Sequence, residues 1–157
     1  MTATPATEYE LLAVPRPLLL SLRPRFAQAI LDGTKTVELR RTRVSAVPGT
    51  LLVLYASSPV MAVVGVATLT DRDTASPATI WRRYRNSVGV SRAEFSDYFT
   101  GAEHATALSI GTPRALPEPL TLNWLRTYAS FQPPQSYRYI APTDPTPLAD
   151  LAATWAN

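Results

Sequence analysis

Lys35 is the single lysine among 15 basic residues; every other one is arginine. It stands in DGTKTVELRR, three residues before Glu38 and five before Arg40. An ammonium at a cleft mouth holds a phosphate as a point charge. Partly buried, it loses basicity and can serve as a base or nucleophile. A carboxylate accepts from the exocyclic amine of a base, and an arginine forks onto a phosphate or a base edge. Each residue also has a plain reading. Lys35 would then be a solvated lysine at a strand start, and Glu38 with Arg40 a surface ion pair worth little.

These residues must be positioned by a strand. Residues 34–41 alternate, with Val37 and Leu39 on one side and Thr36, Glu38 and Arg40 on the other. Simple alternation puts Lys35 on the face away from Glu38, so convergence requires a twist or bulge near Thr36. Upstream, residues 18–23 are an apolar strand. Pro24 opens a helix carrying Phe26, Ile30 and Leu31, and Gly33 closes it. Downstream, 51–56 and 60–69 are apolar strands, and Gly65 marks a bulge or a close backbone approach. Ser76-Pro77 starts a helix to about 86, and a capping box at Ser91 and Glu94 starts another to Gly101. Residues 104–111 form a strand, 120–128 a short amphipathic segment, 131–140 a loop entering a last strand, and 146–155 a helix. This order, with few strands joined by a long helix, predicts an α+β fold with a curved, mainly antiparallel sheet or small β-barrel and flanking helices.

Further candidates stand at strand ends and in stiff loops. Tyr55, Ser57 and Ser58 end a buried strand, where they face a cleft mouth or simply make a turn. Gln135, Ser136 and Tyr137 follow two prolines and suit base recognition, or form a loop with a core tyrosine. His104 reads as structural or exposed. Arg82, Arg83 and Arg85 read as a solvated helix face. Trp81, Tyr84 and Trp124 read as core.

The 157 residues suit one domain, with 46% hydrophobic and 17% charged residues. Residues 1–17 read as a flexible tail and 141–157 as a C-terminal extension. The absence of cysteine excludes disulfides and thiolate chemistry, and one histidine argues against a histidine metal cluster. No metal and no cofactor are expected. A net charge of +3 permits a polyanionic partner without demanding one. No apolar run is long enough for a membrane span, and the N-terminus lacks a secretion pattern, so a cytoplasmic location is the expectation.

Gly33, Lys35, Glu38 and Arg40 together resemble the G-x-K-x-x-E-x-R motif of ASCH domains, members of the PUA-like superfamily. LSLRPRFAQAILDGTKTVELRR is similar to the opening strand, helix and motif strand of such domains. LYASSPVMAVVGVATL and PPQSYRYI are similar to later segments. The resemblance spans about 18–140. It implies a β-barrel-like sheet, a cleft lined by the motif strand, and a ligand such as RNA or a modified nucleotide. One branch of the family deacetylates 4-acetylcytidine; it resembles this chain at the lysine but has threonine at the position of Glu38. Three functions follow as expectations. The first is an RNA- or nucleotide-binding domain using Lys35, Glu38, Arg40, Tyr55, Ser57, Ser58, Gln135, Ser136 and Tyr137. The second is a metal-independent hydrolase, RNase or amidohydrolase, with Lys35 and Glu38 catalytic. The third is a regulatory protein-interaction domain. Nothing in the sequence points to an oligomeric state.

Overall fold

The structure, a computed structural model, describes residues 15–155. Its elements are β1 (Leu18–Leu22), α1 (Pro24–Asp32), β2 (Val37–Arg40), β3 (Leu51–Ala56), β4 (Ala62–Ala75), α2 (Pro77–Tyr84), α3 (Arg92–Tyr98), β5 (Ala105–Thr121), α4 (Leu122–Leu125), β6 (Tyr137–Tyr139) and α5 (Thr146–Trp155). The six strands form one sheet in the order β2-β5-β4-β3-β1-β6. β1 and β3 pair in parallel, across the α1 crossover; every other pairing is antiparallel. The sheet curls into a half-barrel. Its end strands β2 and β6 come so close that Arg40 of β2 donates to the carbonyl of Ser136, just before β6, at 3.1 Å.

β1 and β3 are apolar at every second position and nearly so between, because both faces of the sheet are covered. Leu18, Leu20, Leu52 and Leu54 pack under Ala27 and Ile30 of α1. Leu19, Leu51 and Val53 face the other way, onto Leu122 and Leu125 of α4, Phe131, and Leu148 of α5. A third cluster joins Val37 and Leu39 of β2 to Ile80 of α2 and to Phe95 and Phe99 at α3. The two middle helices therefore clamp the motif strand.

Gly65 fulfils both sequence expectations. The β4–β5 register shifts between Val63 and Gly65, and a side chain there would meet Leu31 Cδ2 at 2.6 Å and the Arg114 carbonyl at 2.7 Å. β5 runs ten residues beyond the expected end at 111, through Pro113, Pro117 and Pro119. β2 pairs with it only from Thr106 to Ser109, so its later part is an edge on that side, where a missing N–H costs nothing. β2 starts at Val37, later than expected. Of the expected N-terminal tail, residues 1–14 lie outside the described residues; the Pro17 carbonyl accepts from Ile140 N–H at 3.0 Å. Trp124 is not core. It is 42% exposed, because the turn of α4 buries Leu122 and Leu125 and sends Trp124 outward.

Candidate functional site

Lys35 lies in the turn after α1 and not in β2. The amides of Thr34 and Lys35 both donate to the Ala29 carbonyl, and those of Thr36 and Val37 both donate to the Ser87 carbonyl. Two amides on one acceptor mark a sharp bend, at the place where convergence required one. Strand alternation does not govern Lys35, and its side chain reaches the same side as Glu38. Its ammonium donates to the Val88 carbonyl, lies 3.3 Å from Glu38 Oε1, and sits 4.9 Å from the Phe26 ring centre. Gly89, at φ +66°, lets the loop close on the lysine: a Cβ there would be 3.2 Å from Lys35 Cβ.

Glu38 accepts from the Leu39 amide at 3.1 Å and from Arg40 Nη2 at 2.6 Å. Arg40 also donates to Ser136 Oγ at 2.9 Å and to the Ser21 carbonyl at 2.9 Å. Lys35, Glu38 and Arg40 are 2%, 5% and 8% exposed. Two cations and one carboxylate form a buried row with one excess positive charge. Arg40 Nε is buried and has no acceptor among the described residues. Burial is the larger influence on Lys35 and lowers its pKa, despite the attraction of Glu38.

The row forms the floor of a cleft of about 740 Å³, within the size range of ligand sites. Arg23, Arg25 and Phe26 of the β1–α1 region line one wall; Glu94, Asp97 and Tyr98 of α3 line another; Tyr55, Ser57, Ser58 and Met61 of the β3–β4 turn line a third. Arg126, Gln132 and Gln135 complete the rim. Arg25 pairs with Glu94 from α1 to α3 at the exposed mouth. Arg41 binds the carbonyls of Tyr98 and Thr100, tying the end of α3 to the motif strand. Burial raises the pKa of Tyr55, partly offset by Arg126, and that of Tyr98, partly offset by Arg40.

Of the residues singled out in the sequence, Lys35, Glu38, Arg40, Tyr55, Ser57, Ser58 and Gln135 line this cleft. Ser136 meets it through Arg40. Tyr137 does not: β6 pairing opposite Leu20 sends it onto the α1-side core, with its hydroxyl near the Arg43 carbonyl at 3.4 Å. His104 is exposed and is not part of the lining. Sequence reasoning missed Phe26, Tyr98, Arg126 and Gln132 as cleft residues. The capping box marked α3 as a helix without marking it as a cleft wall, and no local pattern marked Arg126. Among the described residues no group of three or more His, Cys, Asp or Glu gathers as metal ligands, and no helix is long and apolar enough to cross a membrane.

A curled half-barrel with helices around a cleft and a motif strand on its floor is a PUA-like fold. The chain belongs to the ASCH domain family, whose model matches residues 20–113. An "ASCH domain-containing ribonuclease" from Zymomonas mobilis is 35% identical over 136 residues, covering 86% of this chain and 91% of that protein. The crystal structure of an ASCH protein from Zymomonas mobilis superposes with a TM-score of 0.79 at 34% identity, covering 87% of this chain and 95% of the other. A Ser→Ala mutant of the Zymomonas protein gives 0.80 at 32% identity, with 88% and 97% covered.

Proposed function

We propose that this cleft binds an unpaired stretch of RNA, with a phosphate held over the Lys35–Glu38–Arg40 floor. The carrying observation is the excess positive charge of that buried row. A buried charge is costly without a partner. A phosphate oxygen supplies the missing one, in a cleft whose wall also carries Arg23. The ribonuclease name of the Zymomonas relative supports RNA as the source of that phosphate. Tyr55, Tyr98, Gln132 and Gln135 suit the base and sugar, by stacking and hydrogen bonding.

The same relative favours a second reading, in which the bound RNA is cut. A ribose 2′-hydroxyl attacks the adjacent phosphorus and its proton passes to the Glu38 carboxylate. The new 2′-oxygen–phosphorus bond forms as the bond to the 5′-oxygen breaks, and Glu38 returns the proton to that leaving oxygen. Lys35 and Arg40 offset the charge gathering on the phosphoryl oxygens.

Labelled single-stranded RNA and transfer RNA, titrated with wild type, Lys35→Ala, Lys35→Met and Glu38→Gln, distinguish these readings on native and denaturing gels. Variants are first checked for cooperative melting. A native shift lost on replacing Lys35, with RNA intact, is the binding result. Shortened RNA from wild type but not from Glu38→Gln adds cleavage. Neither shift nor shortening with wild type overturns the proposal.

A further inference from the structure

The cations that line the cleft differ in what holds them. Lys35 commits its ammonium to the Val88 carbonyl, to Glu38 and to the Phe26 ring. Arg40 commits both Nη groups, to Ser136, to the Ser21 carbonyl and to Glu38. Arg126 is tied to the Phe131 carbonyl and to Gln132 Oε1. Arg25 is held differently. Its partner is the Glu94 carboxylate, which comes from α3, and both residues line the cleft. Their side chains are 55% and 42% exposed, so an incoming ligand can reach either.

Each member of this pair has a second support. Glu94 Oε1 accepts from the Ser91 amide at 3.1 Å and closes the α3 capping box, which leaves Oε2 for Arg25. The Arg25 guanidinium lies 4.5 Å from the centre of the Phe26 ring, within cation–π range. The contact between them can therefore open while α3 stays capped and Arg25 stays seated on Phe26. An exposed ion pair is weak, whereas a guanidinium meets a phosphate with two parallel, charge-assisted hydrogen bonds.

We propose that Arg25 is a further phosphate contact of the cleft and that Glu94 guards it, so that a phosphate of the bound strand displaces the Glu94 carboxylate from Arg25. This rests on the RNA reading of the cleft. The carboxylate occupies the guanidinium as a phosphate would, and it repels an anion that does not take its place. Glu94 therefore weakens binding although it lines the site, and it does so through Arg25 in particular. A built-in competitor of this kind raises the requirement on the ligand and so contributes to selectivity.

The test is a double-mutant cycle. A labelled uridine dodecanucleotide is titrated by fluorescence anisotropy across a salt series with wild type, Glu94→Gln, Arg25→Gln and the double variant. Glutamine at position 94 preserves the capping box. The melting temperatures are expected to match wild type, because both side chains are exposed. Glu94→Gln should tighten binding by up to about fivefold, the scale of an exposed pair. Arg25→Gln should weaken binding and make the log–log salt slope shallower by about 0.7. In the Arg25→Gln background the gain from Glu94→Gln should vanish. A gain that persists there overturns the guard, because Glu94 would then act by general repulsion. Unchanged or weaker binding by Glu94→Gln also overturns it. Unchanged affinity and slope in Arg25→Gln overturn the phosphate contact. All three results leave the cleft reading standing. Failure of wild type to bind the oligonucleotide at any salt concentration removes the RNA reading itself, and this inference with it.

Discussion

Glu38 carries one negative charge between Lys35 at 3.3 Å and Arg40 at 2.6 Å, with all three side chains nearly sealed from water. Removing that charge leaves two cations facing each other over a buried amide. Glu38→Gln is expected to destabilise the fold by about 3 kcal/mol, as breaking a buried pair does; urea midpoints measure it, and a change below about 1 kcal/mol would mean the row is wetter than its geometry. Lys35 makes a pH prediction. Its folded pKa lies below the ordinary 10.5, chiefly through burial. Between the folded value and 10.5 the unfolded chain binds more protons, so Lys35 favours folding increasingly as pH rises through that window. Below the folded value both states are charged and the burial penalty is complete. Wild type should therefore gain stability relative to Lys35→Met as the pH is raised toward 10.5. A stability gap that stays constant would show that Lys35 does not titrate there.

The site is assembled from elements that are far apart in sequence and joined by short tethers. α1 delivers Phe26 and the turn that swings Lys35 round. The α2–α3 loop supplies the Val88 carbonyl, and α3 supplies the wall with Tyr98. Seating α1 on the sheet depends on Gly65, because Leu31 fills the space where a Cβ would stand and the Arg114 carbonyl closes its other side. Leu31 can rotate away, but a backbone carbonyl paired across the sheet cannot. Gly65→Ala should cost about 1–3 kcal/mol, the usual penalty for overpacking. It should also weaken RNA binding by shifting α1. Thermal melting and the RNA titration check the two effects separately.

Over the whole molecule the net charge is only +3, so attraction for a polyanion has to come from where the charge lies. The cleft gathers Arg23, Arg25, Lys35, Arg40 and Arg126, against Glu38, Glu94 and Asp97. Single-strand binding then loses affinity with salt at a log–log slope of about −0.7 per phosphate neutralised. Arg23 caps no helix group with its side chain, so it is free to meet the ligand. Arg23→Ala should make the slope shallower by about 0.7 without lowering the melting temperature. Affinity measured across a salt series checks it; an unchanged slope places the RNA backbone elsewhere.

Residue types and short-range spacing determined much of this protein without tertiary information. The motif residues, the proline-started α1 with its glycine end, the Ser91 capping box and the Gly65 bulge all follow from local sterics and hydrogen bonding. So did the curved, mainly antiparallel sheet with its flanking helices, because hydrophobic period and connection length are local signals. The tertiary structure decided what local rules cannot reach. Tyr137 read either as a ligand residue or as a core tyrosine, and pairing in β6 opposite Leu20 turned it toward the core. Trp124 read as core, yet the leucines beside it took the buried face. Lys35 escaped strand alternation because the Ala29 and Ser87 carbonyls, on either side of it in space, bend the chain there. Those acceptors come from a helix and a distant loop, and only the folded sheet brings them together.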